Sequence, residues 1–285
     1  MVVKKLLHPY PLTVEKHPDF GNYWYAGVAE ISSYKLSQVR YGEVHEGKAV
    51  LIFVTEPFSK SKQVKLDYPQ QNKADEQTVL KLNFTKKFTT GIYPYSMMLS
   101  SFTPVELGQY PNTPKVTMSS QEWCGHVFSQ LNLRKNQYDL SSYSYFELEG
   151  DVSKSIDKAI LEDELWNKLR LNPANLPTGN IKIIPGLFHT RLLHKNLQPM
   201  SAEASLSENS ETTMYRLSYP ENGRILEINF ESDFPYQITS WIETTVGRNG
   251  QKMTTEATLD KTLLTNYWSK KRVAYSYLRD SLNLN

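Results

Sequence analysis

The C-terminal third of the chain carries the pattern that most narrows the choice of fold. Two turn tripeptides, Glu221-Asn222-Gly223 and Arg248-Asn249-Gly250, each stand between segments that alternate apolar and polar residues. The flanking segments are residues 212–219 and 224–231 for the first, and 236–246 and 251–260 for the second. Asn-Gly tolerates the positive φ angles of a tight hairpin, so each tripeptide indicates a β-hairpin. We therefore predict a C-terminal meander of four antiparallel strands, which argues against an α/β fold.

Composition indicates a folded chain without a nucleic-acid partner. Of 285 residues, 39% are hydrophobic and 22% are charged, a balance typical of globular proteins. The formal net charge is only +2, so the chain lacks the strong basic excess that binding to a phosphate backbone requires. We read the basic run Lys270-Lys271-Arg272 as a solvated terminal patch.

The sequence does not fix the cellular compartment of the protein. Cys124 is the single cysteine, which excludes an internal disulfide in either a reducing or an oxidising compartment. No apolar run approaches the roughly 18 residues that span a bilayer, so we expect no transmembrane segment. The start has the basic pair Lys4-Lys5 without a following apolar stretch. The sequence as given predicts a cytoplasmic protein, unless a targeting segment lies upstream.

Most of the remaining chain also has the pattern of strands. We expect an extended arm over residues 1–20 and one β-rich domain over 21–285, with subregions 21–150 and 174–285. The strands predicted before the helix span residues 23–33, 35–44, 48–56, 80–85, 91–102, 115–123, 126–134 and 143–149. We place a turn at residues 45–48, a short strand or two over 181–193, and a mobile polar segment over 199–211.

One helix is predicted, over residues 156–171, joining the two subregions. Ser155 is the expected N-cap, and Leu161, Leu165 and Leu169 recur every four residues to form one apolar stripe. The run 162–164 is acidic and is assigned to the solvated side of this helix. The predicted fold is therefore mainly β. It has curved antiparallel sheets or an open β-barrel, with the amphipathic helix packed on a sheet face.

Few residues suggest chemistry. Cys124 and His126 share one face of the predicted strand, which makes a thiol–imidazole pair one interpretation. The alternative is a buried apolar residue, the more common role of a lone strand cysteine. His189 and His194 are five residues apart, which suits neither a helical nor a strand metal pair, and we predict no metal site. Aromatic candidates for ligand contact are Trp123, Tyr93, Tyr95 and Trp166.

The common cofactor and hydrolase motifs are missing from the sequence. There is no Gly-x-x-x-x-Gly-Lys-Ser/Thr loop, Gly-x-Gly-x-x-Gly, His-Glu-x-x-His or Gly-x-Ser-x-Gly. We predict no cofactor from these patterns.

Four segments resemble the signature segments of an uncharacterised family from Bacteroidetes-type bacteria. They are residues 23–31 (YWYAGVAEI), 40–43 (RYGE), 48–56 (KAVLIFVTE) and 121–126 (QEWCGH). The resemblance implies an envelope protein or lipoprotein, periplasmic or anchored to the outer membrane, and assigns no catalytic residue. Such proteins are sometimes labelled Maf-like septum formation inhibitors. Maf proteins are α/β nucleotide pyrophosphatases that open on Ser-x-Ser-Pro-Arg-Arg, a segment this chain lacks, so we reject that activity.

Three functions remain open at this stage. The first is a non-enzymatic envelope protein that binds a hydrophobic, lipid-like ligand or a protein partner in a curved sheet. The second is a thiol-dependent enzyme that uses Cys124 and His126. The third is a structural or scaffold protein without a pocket. The oligomeric state is not indicated by the sequence.

Overall fold

The structure, a computed structural model, describes residues 15–209, 211–247 and 249–285. Within these residues fifteen strands belong to one sheet. The strands are β1 Ala29–Arg40, β2 Glu43–Ser59, β3 Glu76–Thr90, β4 Tyr93–Pro104, β5 Lys115–Glu122, β6 Gly125–Arg134, β7 Gln137–Ser144, β8 Val152–Asp157, β9 Ile160–Leu161, β10 Gly179–Ile184, β11 Met200–Glu208, β12 Thr212–Tyr219, β13 Arg224–Glu231, β14 Ile238–Val246 and β15 Lys252–Thr265. The α-helices are α1 Phe20–Trp24, α2 Glu162–Leu171, α3 Leu187–Leu192 and α4 Tyr277–Ser281.

The sheet is rolled but not closed. Its strand order is β8-β7-β6-β5-β4-β3-β2-β1-β15-β14-β13-β12-β11-β10-β9, so β8 and β9 are the two edges. Only Lys158 and Ala159 separate these edges in the chain, which limits the Cα atoms of Asp157 and Ile160 to about 11 Å apart. The edges therefore meet at this point. All pairings are antiparallel except β9 with β10, which confirms the predicted mainly-β, open architecture.

The helix α2 lies inside this roll, and all ten of its residues are buried. The predicted helix over 156–171 was therefore too long at its start. Ser155, the expected N-cap, is instead part of β8 and pairs with Asp139 of β7, while Ile160 and Leu161 form β9. As strands, these residues supply hydrogen-bond partners for the backbone groups of β7 and β10. A longer helix would leave those groups of the sheet unpaired.

The solvated acidic face predicted for residues 162–164 is also wrong. Glu162, Asp163 and Glu164 are only 4%, 7% and 1% exposed. They are buried because the rolled sheet surrounds the helix, so the side of α2 opposite the leucines meets other strands instead of water. Burial of a carboxylate requires a partner, and each of the three has one.

The first hairpin turns earlier than predicted. Arg40 pairs with Glu43 across the two-residue turn Tyr41-Gly42, in which both residues have positive φ, 54° and 81°. Residues 45–48, the expected turn, lie inside β2. Gly47 is required there for a different reason, because a Cβ at this position would lie 2.3 Å from the carbonyl oxygen of Lys87.

The bounds of several other elements also differ from those predicted. The strand expected over 23–33 begins with the helix α1, and the one expected over 143–149 ends at Ser144. Residues 181–193 form most of β10 and then α3 rather than strands alone. The segment expected to be mobile, 199–211, contains β11, in which Ala202 and Ala204 are buried between exposed polar neighbours. Small apolar residues give a weak alternation signal, which explains the error.

The C-terminal meander is confirmed. Strands β12 and β13 have the predicted bounds, and β13, β14 and β15 are neighbours in the sheet. The first turn spans four residues, and within it Gly223 has a φ of 69° while Asn222 accepts a hydrogen bond from the Arg224 N–H at 3.0 Å. The second turn includes residue 248, which lies outside the described residues, as does 1–14 of the predicted arm.

The two predicted subregions share one continuous sheet, since β1 pairs with β15. No helix within the described ranges is both long enough and apolar enough to cross a lipid bilayer.

Candidate functional site

A cleft of about 590 Å³ lies between the inner face of β5–β8 and the helix α3 with the segment that follows it. One wall comes from alternating residues of four adjacent strands, and the other from residues 187–197. The loop after β7, residues 146–149, borders the cleft.

Small side chains on the strand wall account for the space. Met118, Ser129, Ser142 and Val152 pair in register across β5, β6, β7 and β8, so they form one row on the inner face. The two serine hydroxyls lie 2.8 Å apart and bond to each other. In the centre of the sheet, by contrast, Phe84 of β3 packs directly against Trp166 of α2 and Phe188 of α3. Serine at the middle of the row leaves this volume unfilled.

The helical wall presents Leu187, Thr190 and Arg191, spaced so that they share one face of α3. The Thr190 hydroxyl donates within the helix, to the carbonyls of Leu187 at 3.1 Å and Gly186 at 3.3 Å. Leu193 and Leu197 extend this wall beyond the helix. The two walls therefore combine apolar side chains with hydroxyls that already have hydrogen-bond partners.

Charge is concentrated where α3 meets the loop after β7. Arg191 Nη1 donates to Glu149 Oε1 at 3.1 Å, and His194 Nδ1 lies 2.5 Å from the same oxygen. The Arg191 guanidinium lies over the ring of Phe146 at 4.5 Å. Arg191 is 6% exposed, and its buried Nε–H has no hydrogen-bond acceptor in the described structure.

A second guanidinium lies directly behind this cluster. Arg40 donates to the hydroxyls of Tyr41 and Tyr95 at 3.2 and 3.3 Å and to the carbonyl of Leu192, and its Nη2 lies 3.5 Å from His194 Nε2. Among the described residues, Arg40 forms no ion pair with a carboxylate. Arg40 therefore reaches this cluster through His194, whereas Arg191 pairs directly with Glu149.

A separate ionic cluster fixes α2 in the interior. Arg224 donates to Glu162 at 2.5 and 2.7 Å and to Glu243 at 2.7 Å, and His189 lies 2.8 Å from Glu243. Burial opposes ionisation of Glu243, yet Arg224 and His189 hold the pKa of its carboxyl well below its usual range. None of these residues lines the cleft, so this cluster anchors the helix.

Asp163 differs from the neighbouring acids. Burial and the adjacent charge of Glu162 raise the pKa of Asp163 to about 8, and its carboxyl accepts the Leu187 N–H at 3.0 Å. This carboxyl is therefore mainly protonated at neutral pH, beside the start of α3.

The structure does not join Cys124 and His126. Both are exposed at the β5–β6 hairpin, and no hydrogen bond connects them among the described residues. The neighbouring Glu122 raises the pKa of the Cys124 thiol. A raised pKa reduces the thiolate fraction, which is the reverse of what an activated nucleophile requires.

The other expected site residues are dispersed. His189 bonds Glu243, whereas His194 bonds Glu149. Across the described ranges, no group of three or more His, Cys, Asp or Glu residues is placed to hold a metal. Trp166 packs in the core against Phe84 and Trp241. The remaining aromatic candidates lie outside the residues that line the cleft: Tyr93 is half-buried, Tyr95 is buried and Trp123 is exposed.

Sequence reasoning missed Ser129, Ser142 and Arg191. The available signal was a serine at an inward position on two neighbouring strands, where alternation predicts an apolar residue. A scan against models of known protein families finds no match, and a search of curated proteins finds no significant relative.

Proposed function

We propose that this protein is a non-enzymatic binding protein that holds an elongated, lipid-like ligand in the cleft between β5–β8 and α3. The cleft itself carries the proposal. Its volume, about 590 Å³, falls in the range of small-molecule sites, roughly 300–1,000 Å³. Its walls carry apolar side chains from both the strands and the α3 segment, with a charged cluster of Arg191, His194 and Glu149 at one border, an arrangement that suits a ligand with a tail and a head.

The apolar wall supplies a physical reason for affinity. Met118, Val127 and Leu140 face the cleft from three adjacent strands, opposite Leu187 and Leu197. Each ligand methylene that leaves water for such a surface contributes about 0.8 kcal/mol. The dissociation constant should therefore fall about fourfold per added methylene until the cleft is full.

The polar groups inside the cleft support binding rather than catalysis. Nucleophilic serine requires a base within hydrogen-bond reach. In the part of the chain that the structure describes, the Ser129 and Ser142 hydroxyls bond each other, and no hydrogen bond connects either to a histidine. Location in the cell envelope is part of this proposal through the four-segment resemblance alone, and immunoblotting of fractionated host cells tests it.

The experiment is calorimetric titration with decanol, undecanol and dodecanol. We expect saturable binding of one molecule, with the chain-length dependence given above. The double variant S129A/S142L fills the cleft while removing both members of the serine pair, so no hydroxyl loses its partner. This variant should keep its fold and lose binding. Ser141→Leu is the matched control, because adjacent strand residues point to opposite faces. No binding by the wild type, or equal binding by S129A/S142L, would contradict the proposal.

A further inference from the structure

We infer that the ligand carries an anionic oxygen head group, either a carboxylate or a phosphate monoester, which binds Arg191. This inference rests on the proposed function of the cleft and adds the chemical class of its ligand. It is carried by two observations on the described residues: a buried arginine in the cleft wall whose Nε–H has no acceptor, and an excess of positive charge around it.

The first observation is the state of Arg191. This side chain lines the cleft and is 6% exposed, yet its Nε–H has no acceptor. Its Nη1 donates to Glu149 at 3.1 Å. A guanidinium presents five N–H donors in a planar fork that matches two oxygens of one carboxylate or phosphate. A buried donor without an acceptor is unfavourable, and a head-group oxygen that reached it would remove that cost.

The second observation is the charge balance. The cleft is lined by the cations Lys154, Arg191 and Lys195 and by the carboxylates of Glu147 and Glu149. Arg40 adds a further positive charge behind His194, and among the described residues it forms no ion pair with a carboxylate. A cleft walled by low-dielectric side chains strengthens the field of this excess. An anionic head would be attracted to it, and a cationic head would be repelled.

Glu149 is the internal competitor for this position. Its carboxylate bonds both Arg191 and His194, and it belongs to the loop that borders the cleft. An entering anion either joins Glu149 on the Arg191 fork or displaces it. Neutralising Glu149 should therefore strengthen anion binding without improving the binding of an uncharged ligand.

The test compares ligands with the same tail and different heads, titrated calorimetrically at pH 8. The probes are dodecanoate, dodecyl phosphate, dodecanol and dodecyltrimethylammonium. We expect at least about tenfold tighter binding of one or both anions than of dodecanol, with the cation weakest. The ratio of the two anions identifies the head. Dodecanol binding as tightly as both anions would overturn the inference and leave the cleft function standing, whereas no binding by any probe would overturn both.

Two variants assign the effect to Arg191. Arg191→Met should abolish the preference for anions and retain dodecanol binding, and Arg191→Lys should restore only part of the preference. Arg216→Met is the matched control, because Arg216 pairs with Glu227 on the surface. Should Arg191→Met fail to fold, Glu149→Gln still tests the inference. It should increase the affinity for the favoured anion several-fold and leave the affinity for dodecanol unchanged. An unchanged anion affinity in Glu149→Gln would contradict the inference.

Discussion

Glu30 of β1 and Arg170 of α2 form a bidentate ion pair in the interior, with Nη1–Oε1 and Nη2–Oε2 distances of 2.5 and 2.6 Å. The guanidinium also lies 5.2 Å from the Trp24 ring and 4.8 Å from the Phe53 ring. Burial opposes the charge on Glu30, yet Arg170 holds the pKa of that carboxyl below its ordinary value. The pair connects the last turn of the helix to the centre of the sheet, so it helps to hold the roll around α2.

Arg170→Met should destabilise the fold strongly. The change leaves the Glu30 carboxylate buried without its cation, for which we expect a loss of about 3–5 kcal/mol in the free energy of unfolding. The double variant E30Q/R170M should recover part of this loss, because it removes the uncompensated charge. Urea denaturation measures both, with Arg216→Met as the exposed control, expected to change stability by about 1 kcal/mol or less. Equal losses in the free energy of unfolding for Arg170→Met and Arg216→Met would show that the buried pair stabilises the fold no more than a surface pair does.

Asp163→Asn should change how stability depends on pH. The folded state keeps its proton on Asp163 up to about pH 8, whereas the unfolded chain releases it near pH 4. Between these values the folded state binds more protons, so this group lowers stability as pH rises, by about 1.4 kcal/mol per pH unit. The contribution is fully present below about pH 4 and is lost by about pH 8.

Asparagine retains an acceptor for the Leu187 N–H and does not titrate. The stability of Asp163→Asn relative to wild type should therefore increase from pH 5 to pH 8, measured by urea denaturation at each pH. The titrations of the other carboxylates largely cancel in this difference. A difference that stays constant across the range would contradict the raised pKa.

Gly47→Ala should be severely destabilising although alanine suits strands no worse than glycine. The added methyl group would lie 2.3 Å from the Lys87 carbonyl oxygen and 2.8 Å from Phe88 Cβ, so β2 and β3 would have to separate. Gly21→Ala is the control, because its new methyl meets nothing closer than 4.0 Å and alanine favours the helix α1. Thermal unfolding should show a large drop for the first variant only; similar melting temperatures would refute the close approach.

Cys124 should react with thiol reagents completely but slowly. It is exposed, and the nearby Glu122 carboxylate raises the pKa of its thiol. Glu122→Gln removes that charge, so the rate of disulfide exchange at neutral pH should increase. The reaction with a chromogenic disulfide reagent measures both rates. A faster reaction in the wild type than in Glu122→Gln would indicate an activated thiol and revive the thiol-enzyme hypothesis.

Local patterns predicted the β class and the C-terminal meander because both depend on neighbouring residues. Asn222 and Gly223 mark the β12–β13 turn by their backbone preferences alone. The turn of the first hairpin was misplaced because Tyr41 adopts a positive φ, and tyrosine is not a residue type that indicates one. The acidic start of α2 was misplaced because its environment is set by strands distant in sequence: Glu162 meets Arg224, sixty-two residues away.

The cleft could not be predicted for the same reason. It depends on the register that aligns Ser129 with Ser142 and on the position of α3 inside the roll. Arg191 has no sequence signature, since its partner Glu149 lies in a loop that was expected to be a strand. Sequence reasoning identified the kind of architecture that forms a concave pocket, and only the tertiary structure locates it.

Photo-crosslinking tests the central claim most directly. A dodecanoate analogue with a diazirine in its tail is bound to the full chain, irradiated, and its attachment sites are mapped by mass spectrometry of peptides. We predict attachment to residues of β5–β8 and to the α3 segment 187–197, competed by unlabelled dodecanoate and lost in S129A/S142L. Saturable, competed attachment confined to other parts of the surface, or no competed attachment at all, would contradict the account.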